Sequence, residues 1–190
     1  MPAKMRRLPT SSRTGSPQTP AVTNTTPQQQ ALLNTGSAEA ARRLQNPTCA
    51  AFFGGTENGL QALNSLTFSI DPSLPEDGHP QGVLEGDTVR VNPHGSSFVT
   101  PDDSSYTFYL LDTPVQAGRQ TIILTGDDAR AFAQLHEAGH KGERYGATDK
   151  DGFVPATFLN NYINNWKIWK SCFSEAKPKK TNTLPMPGLQ

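Results

Sequence analysis

The amino-acid sequence predicts an α+β fold, and three observations support that class. Short segments rich in β-branched and aromatic residues occupy the middle of the 190-residue chain. Longer segments with apolar residues every three or four positions lie on either side of them. Both ends are polar and rich in proline and threonine. Together these features are typical of one small domain in which helices pack on a β-sheet.

The two ends of the chain are predicted to be unpacked. Residues 1–40 contain many Pro, Thr, Ser and Gln residues and few large apolar ones, which indicates a disordered tail or linker. A short helix is expected to begin near Ser37. Residues 174–190 have a similar composition and are predicted to form a disordered C-terminal tail. The folded domain is therefore expected to span residues 47–173.

The first half of this domain is predicted to be helical and then extended. Apolar residues between Pro47 and Ile70 predict one or two helical segments, with a break at Gly54-Gly55. Alternating and β-branched patterns predict three strands further along the chain. These strands are Asp87–Asn92, Tyr106–Leu111 and Gln120–Leu124.

Two helices are predicted after the strands. Thr125–Asp128 suits a helix N-terminus, because polar side chains cap free amides and acids interact favourably with the helix dipole. That helix is expected to continue in good helix formers to about Tyr145. Aromatic residues recur every three or four positions from Pro155 to Phe173, which predicts a C-terminal helix with a buried apolar face.

Charge and hydropathy exclude two classes of function. The chain has 17 Lys and Arg residues and 17 Asp and Glu residues, so it lacks the basic surface typical of nucleic-acid binding. No apolar run approaches the roughly 20 residues that a membrane span needs. The first residues are basic but contain no apolar segment, so no secretory signal peptide is predicted and a cytoplasmic location stays open.

The segment His136-Glu137-Ala138-Gly139-His140 is an HExxH motif within the first of the late helices. Residues four apart project from one face of a helix, so His136 and His140 can bind the same Zn²⁺. Glu137 lies about 100° around the helix, where it can act as a general base without binding the metal. Random placement of the His and Glu residues predicts roughly 0.003 such motifs per chain. The alternative is two ordinary histidines on a polar helix face.

This motif, on a helix that follows strands, resembles the active-site helix of the zincin metallopeptidases. The resemblance covers about Pro47 to Phe173. It implies a minimal zincin-like domain, with a small twisted β-sheet packed on the active-site helix and the C-terminal helix. It also implies zinc-dependent hydrolysis of a peptide or protein substrate, with His136 and His140 as ligands and Glu137 as general base. The chain is similar, too, to uncharacterised bacterial exported proteins that combine a short HExxH helix, a downstream Asp and two flanking cysteines.

The third metal ligand distinguishes the zincin groups. The metzincin pattern HExxHxxGxxH or HExxHxxGxxD does not fit, because it requires Gly at Glu143 and a ligand at Gly146. The thermolysin-like gluzincins take a glutamate from the next helix, but residues 160–170 contain no acid. The aspzincins place an Asp about nine residues after the second histidine. Asp149 has this spacing, although the turn around it does not match the full aspzincin pattern.

Asp149 is therefore the first choice as third ligand, followed by Asp151 and then Glu143, with a solvated turn as the alternative for the two aspartates. Tyr145 is a candidate to stabilise the oxyanion of the reaction, although it could equally pack at the end of the helix. Asn161 is a candidate to orient a ligand from outside the metal shell, although it could equally belong to a polar helix face.

Cys49 and Cys172 lie at the two ends of the expected domain. A disulfide between them would tie the first helix to the last and close a loop of more than 100 residues. In the chain-entropy model such a link is worth up to about 4–5 kcal/mol. It would also favour an exported or extracellular location. Two buried free thiols are the alternative.

Three functions stay open at this point. The first is a zinc metallopeptidase, and the second is an inactive zincin-like binding module in which any metal is structural. The third is a peptidase-type toxin or effector domain of a larger exported protein, with residues 1–40 as its linker. The short chain predicts a shallow, open site, or a substrate that pairs with an edge strand.

Overall fold

The structure is a computed structural model. It describes residues 20–76, 81–95, 98, 105–111, 120–150 and 158–180. Within those residues, five α-helices and two small β-sheets form a mixed α+β fold, which confirms the predicted fold class.

The helices and strands alternate in an irregular order along the chain. The helices are α1 (Pro27–Arg43), α2 (Pro47–Phe52), α3 (Thr56–Asn64), α4 (Gly126–Lys141) and α5 (Phe158–Cys172), with a 3₁₀ turn at Gly146–Thr148. The strands are β1 (Ala21–Thr23), β2 (Thr67–Ile70), β3 (Gly82–Glu85), β4 (Thr88–Val91), β5 (Ser105–Leu110), β6 (Gln120–Thr125) and β7 (Lys179–Lys180).

The strands form two sheets rather than the single sheet that the sequence predicts. In the first sheet the order is β1-β2-β4-β3, with β1, β2 and β4 parallel and β3 antiparallel to β4. In the second sheet the order is β5-β6-β7, and all pairs are antiparallel. The three predicted strands are confirmed as β4, β5 and β6.

The region from Pro47 to Ile70 is partly different from the prediction. The helical break at Gly54-Gly55 is confirmed, because α2 ends before it and α3 begins after it. The end of the region, however, is the strand β2 rather than a helix. In this strand Phe68 and Ile70 are buried, whereas Thr67 and Ser69 are only partly buried, so its burial has the two-residue period of a strand.

The prediction that residues 1–40 are a disordered tail is wrong for residues 21–40, which form β1 and most of α1. Helix α1 begins with a capping box, in which the side chains of Thr26 and Gln29 each accept a bond from the other residue's backbone amide. Its Leu33 is completely buried. The composition was misleading because small and polar residues make the interhelical contact. Residues 1–19 lie outside the described residues.

Helix α1 approaches α4 closely at Gly36. A Cβ atom at Gly36 would lie 2.5 Å from the Cβ of Arg130, so any larger residue would push the helices apart. Beside it, the Ser37 hydroxyl donates a 2.7 Å bond to Oε1 of Gln134, and Nε2 of Gln134 donates to the Leu33 carbonyl at 3.0 Å. The HExxH helix is therefore supported by a second helix from the N-terminal region.

The C-terminal boundary is also further along the chain than predicted. Residues 174–180 were expected to belong to a disordered tail, but β7 pairs with β6 and Ala176 packs against the core. The Trp169 indole donates a 2.9 Å bond to the Ala176 carbonyl, which holds the chain after α5 in place. Residues 181–190 lie outside the described residues.

The core is centred on α4, most of whose residues are buried. A row of aromatic rings links this helix to its neighbours: Phe132 of α4 lies 4.1 Å from Phe108 of β5 and 5.1 Å from Phe173 after α5, measured between ring centroids. Because β6 runs directly into α4, the strand and the aromatic row together fix the position of the helix. None of the described helices is long and apolar enough to cross a membrane.

Cys49 and Cys172 form a disulfide, which confirms the predicted pairing. Their Cα atoms are 4.5 Å apart, although 123 residues separate them in sequence. The bond joins α2 to the last residue of α5. Beside it, the buried guanidinium of Arg43 bonds the Cys172 carbonyl at 2.6 Å and Asp128 of α4 at 2.8 Å. The ends of α1, α4 and α5 are thus tied together at one point.

Candidate metal centre

His136 and His140 lie on one face of α4 with their rings turned towards each other. Their Nε2 atoms are 3.1 Å apart, and the ring centroids are 5.0 Å apart. His136 is 7 % exposed, and the His140 side chain is 11 % exposed. The helical spacing therefore brings two imidazole nitrogens to one small, partly shielded position, as the HExxH motif predicts.

The separation of the two Nε2 atoms suits a shared zinc ion. Two ligands bound tetrahedrally at the usual zinc–nitrogen distance lie about 3.3–3.4 Å apart. The observed 3.1 Å is close to that value, so a small adjustment of one ring would accommodate the metal. His136 and His140 could therefore hold a metal ion through Nε2.

The other ring nitrogen of His136 is bound by α5. Its Nδ1 lies 2.9 Å from Oδ1 of Asn165. The amide group of Asn165 cannot be flipped without losing two hydrogen bonds. Its Nδ2 donates to the Tyr109 carbonyl at 3.3 Å and to Oδ1 of Asn161 at 3.0 Å. Since the amide oxygen only accepts, Nδ1 of His136 must carry the hydrogen.

The other ring nitrogen of His140 is bound by Asp149. Its Nδ1 lies 3.3 Å from Oδ1 of Asp149, whose side chain is 41 % exposed. A carboxylate only accepts hydrogen bonds, so Nδ1 of His140 also carries a hydrogen. The predicted third ligand thus reaches the site, but it contacts Nδ1 rather than Nε2.

These outer contacts determine what the two Nε2 atoms present to each other. When Nδ1 carries the hydrogen of a neutral imidazole, Nε2 carries a lone pair. The lone pairs of His136 and His140 therefore face each other at 3.1 Å. Two lone pairs at this distance repel unless a cation binds both of them. A cation between the two rings, either a shared proton or a metal ion, would remove this repulsion.

A tight reversal after α4 brings Asp149 back to the helix. The Glu143 amide donates to the His140 carbonyl, and the Arg144 amide donates to the Gly139 carbonyl, each at 2.9 Å. This is the Schellman pattern, with Glu143 in the left-handed region at φ 54°. Glu143 is exposed beyond the end of the helix, so the structure does not bring this alternative ligand to the histidines.

Tyr145 packs inside this reversal. It is 2 % exposed, and its hydroxyl donates a 2.9 Å bond to the backbone carbonyl of His136. Its ring lies 4.6 Å from the His140 ring and 5.5 Å from the His136 ring. A Cβ at Gly139 would lie 2.5 Å from the Tyr145 hydroxyl, so glycine is needed within the motif. These contacts fit the packing role for Tyr145 rather than a role in binding an oxyanion.

Helix α5 holds the turn that carries Asp149. Asn164 is completely buried and donates to the Thr148 carbonyl at 2.9 Å, while the Thr148 hydroxyl donates to Oδ1 of Asn164 at 2.6 Å. Lys167 donates to the Thr148 hydroxyl and to the Tyr145 carbonyl, both at 2.8 Å. Burial lowers the pKa of Lys167, and the charge of Asp149 acts in the opposite direction. The turn is therefore fixed from one side by four hydrogen bonds.

The sequence predicted that an asparagine of α5 orients a histidine, but it named Asn161, one turn away from the residue that does so. Asn165, not Asn161, contacts His136, and Asn161 supports Asn165 from behind. The available signal was the presence of four asparagines on one helix, at positions 160, 161, 164 and 165, and only the packing shows which of them contacts His136. Glu137 lies next to His136 on α4 and is partly exposed. Asp151 lies outside the described residues.

Among the residues that the structure describes, no group of three or more His, Cys, Asp or Glu side chains is arranged to hold a metal ion. No protein-family model, curated protein or solved structure matches the chain. Conclusions about function therefore depend on the geometry of His136, His140 and the groups around them.

Proposed function

We propose that this protein is a zinc-dependent metallopeptidase of the HExxH type, with His136 and His140 as zinc ligands. The observation that carries the proposal is the 3.1 Å separation of the two Nε2 atoms, each with its Nδ1 engaged by an acceptor. Two lone pairs held together in this way favour a bound cation. Imidazole nitrogen is a preferred ligand of zinc.

The chain's own residues would divide the work of peptide hydrolysis. Zinc, when bound, supplies Lewis-acid activation of water and of a substrate carbonyl near neutral pH. The Glu137 carboxylate would take one proton from the attacking water and later give it to the leaving amine nitrogen. The hydrogen bonds at Nδ1 would hold the rings of His136 and His140 in place, so that neither Nε2 has to reorganise during the reaction.

The proposed substrate is a peptide or protein, but it would not pair along all of β5. The Tyr109 carbonyl of this strand accepts a bond from Asn165, and the Leu111 amide donates to the Tyr162 carbonyl at 3.1 Å. Helix α5 therefore covers this part of the strand edge. A substrate strand would have to pair before Tyr109, or it would lie across the open side of the histidine pair.

We also propose that the protein works in an oxidising compartment. The support is the Cys49–Cys172 disulfide, since such bonds persist mainly in exported and extracellular proteins. A peptidase-type toxin or effector domain is one form of this proposal.

A second candidate function is an inactive zincin-like binding module. One observation favours it: the described residues contain no three-ligand group, whereas catalytic zinc sites use three protein ligands. In this case the surface around the end of α4 would bind a partner, and zinc would not be required.

Metal analysis of purified wild-type protein tests the proposal directly. We expect one zinc ion per chain, lost in His136→Ala and His140→Ala. His94→Ala is the matched control, because this histidine is exposed and lies outside the motif. Glu137→Gln is expected to keep zinc but to lose peptidase activity.

The outcomes separate the two candidates. Zinc binding with cleavage of a mixed peptide library, abolished by Glu137→Gln, supports the peptidase. Zinc binding without any cleavage supports the binding module. Wild-type protein that binds no zinc, even when supplied with the ion, would rule out the peptidase.

A further inference from the structure

We infer that Asp149 is a positioning residue that orients His140 through Nδ1, and not the third zinc ligand that its spacing suggests. The inference rests on the proposed zinc site and deepens it. It gives Asp149 the same role for His140 that Asn165 has for His136, because each contacts Nδ1 of its histidine. Each histidine would then have one outer partner, a carboxylate for His140 and an amide for His136.

The position of the carboxylate on the ring is the first argument. Nδ1 and Nε2 lie on opposite sides of the imidazole, so a zinc ion on Nε2 lies roughly 7 Å from an oxygen bonded to Nδ1. The second carboxylate oxygen lies only about 2 Å from the first, and it could not come within the roughly 2.0–2.2 Å that zinc–oxygen coordination needs. Asp149 cannot make both contacts from one position.

The rigidity of the turn is the second argument. To reach Nε2, the Asp149 side chain would have to move around the ring, together with the backbone that carries it. That backbone is fixed, because the Asp149 amide donates to the Gly146 carbonyl at 3.0 Å and Thr148 is held by Asn164 and Lys167. Tyr145 fills the space between the turn and the two rings. The geometry favours the Nδ1 contact as the working arrangement.

The chemistry of the contact is the third argument. A carboxylate on Nδ1–H holds the histidine in the form that binds metal through Nε2, and it increases the basicity of that nitrogen. The neutral amide of Asn165 fixes the same form of His136 without adding a charge. His140 is therefore expected to be the stronger of the two ligands because of Asp149.

The test compares Asp149→Asn with Asp149→Ala in the zinc-loaded protein, with His140→Ala as the standard for a lost ligand. An asparagine oxygen can still accept from Nδ1–H, whereas alanine cannot. We expect Asp149→Asn to keep one zinc per chain with less than a tenfold loss of affinity, measured by competition with a chromophoric chelator. We expect Asp149→Ala to lose about 10–100-fold, the usual effect of removing an outer partner.

The absorption spectrum of the cobalt-substituted protein extends the test. The visible absorption of the Co²⁺-substituted protein should be the same in wild type and Asp149→Asn, because the ligand set is unchanged. If both Asp149 variants lose the metal like His140→Ala, or if Asp149→Asn alters the cobalt spectrum, Asp149 is a ligand and the inference is overturned.

Metal-free protein separates this inference from the proposed function. The hydrogen-bonded Nδ1–H of His140 should give an NMR signal in wild type and Asp149→Asn that is lost in Asp149→Ala. Its absence from the wild type would overturn the positioning role whether or not zinc binds. Its presence in a protein that binds no zinc would support the positioning role while the metallopeptidase proposal fails.

Discussion

Helices α4 and α5 build the candidate site in two different ways. Helix α4 provides His136 and His140 at a spacing of four residues, so one turn of its own backbone brings their Nε2 atoms together. Helix α5 provides Asn164 and Asn165, whose partners lie 16 and 29 residues away in sequence. The position of the histidine pair is therefore a local property of the chain, whereas its outer contacts exist only when α5 is packed in place.

This difference has a consequence for how the site would fail. Changes in α4 act directly on the two rings or on Tyr145 behind them. Changes that release α5 remove the partner of His136 and loosen the turn that carries the partner of His140. The site depends on α5 as much as on the motif, although α5 contains neither of the proposed ligands.

The largest effect is expected from releasing the end of α5. Replacing Cys49 and Cys172 together by Ser removes a link across 123 residues. We expect the free energy of unfolding to fall by about 3–5 kcal/mol, because the unfolded chain regains the entropy that the loop restricted. Urea denaturation of wild type and double variant measures the difference.

Zinc affinity should fall in the same variant, since α5 also holds the two outer partners. Treating wild-type protein with a reductant is the control and should reproduce the loss of stability. A double variant within about 1 kcal/mol of the wild type would show that packing alone fixes α5, which contradicts the expected contribution of a long disulfide loop.

The next effect is expected at Asn164, in the middle of α5. Asn164→Ala removes both bonds to Thr148 from a completely buried position, and we expect a loss of about 2–3 kcal/mol. Thermal unfolding measures it. Asn160→Ala is the matched control on the same helix, because its single bond to the Lys150 carbonyl is exposed and should be worth less than about 0.5 kcal/mol. Equal effects of the two substitutions would contradict the role of Asn164 as the residue that fixes the turn.

A smaller effect is expected within α4 itself. Gly139→Ala would place a Cβ 2.5 Å from the ring and hydroxyl of Tyr145, which is buried against both histidines. We expect a net loss of about 1–2 kcal/mol, because overpacking outweighs the better helix propensity of alanine. Gly142→Ala is the control, since its Cβ would meet the Ala138 carbonyl oxygen at 3.2 Å rather than an aromatic ring at 2.5 Å. Urea denaturation of both variants gives the comparison, and a stabilising Gly139→Ala would show that Tyr145 is free to move.

The difference between local spacing in α4 and long-range contacts of α5 also explains how much of the molecule could be predicted from the sequence. Strands β4, β5 and β6 and the HExxH helix have clear periodic patterns, so local physics was sufficient to find them. The end of α1 was expected as a short helix near Ser37, but its first part from Pro27 was missed, because residues 27–36 have a linker-like composition and pack only when α4 is present. The contact between Asn165 and His136 could not be assigned, since it depends on how α5 is rotated against α4. The role of Asp149 likewise depends on which ring nitrogen the turn brings it to.

The smallest expected effect concerns Glu143, and it is a gain in stability. Glu143 is exposed and has φ 54°, a conformation that is strained for a side chain but not for glycine. Glu143→Gly should raise the free energy of unfolding by about 0.5–1 kcal/mol, because relief of the strain exceeds the added entropy of the unfolded chain. Gly146→Ala is the control with the opposite sign, since Gly146 has φ 61° and open space around it. Zinc affinity measured on the same Glu143→Gly protein decides whether Glu143 binds the metal. Unchanged affinity is expected for a residue that only shapes the turn, whereas a loss as large as that of His140→Ala would make Glu143 a ligand and require the turn after α4 to rearrange when zinc binds.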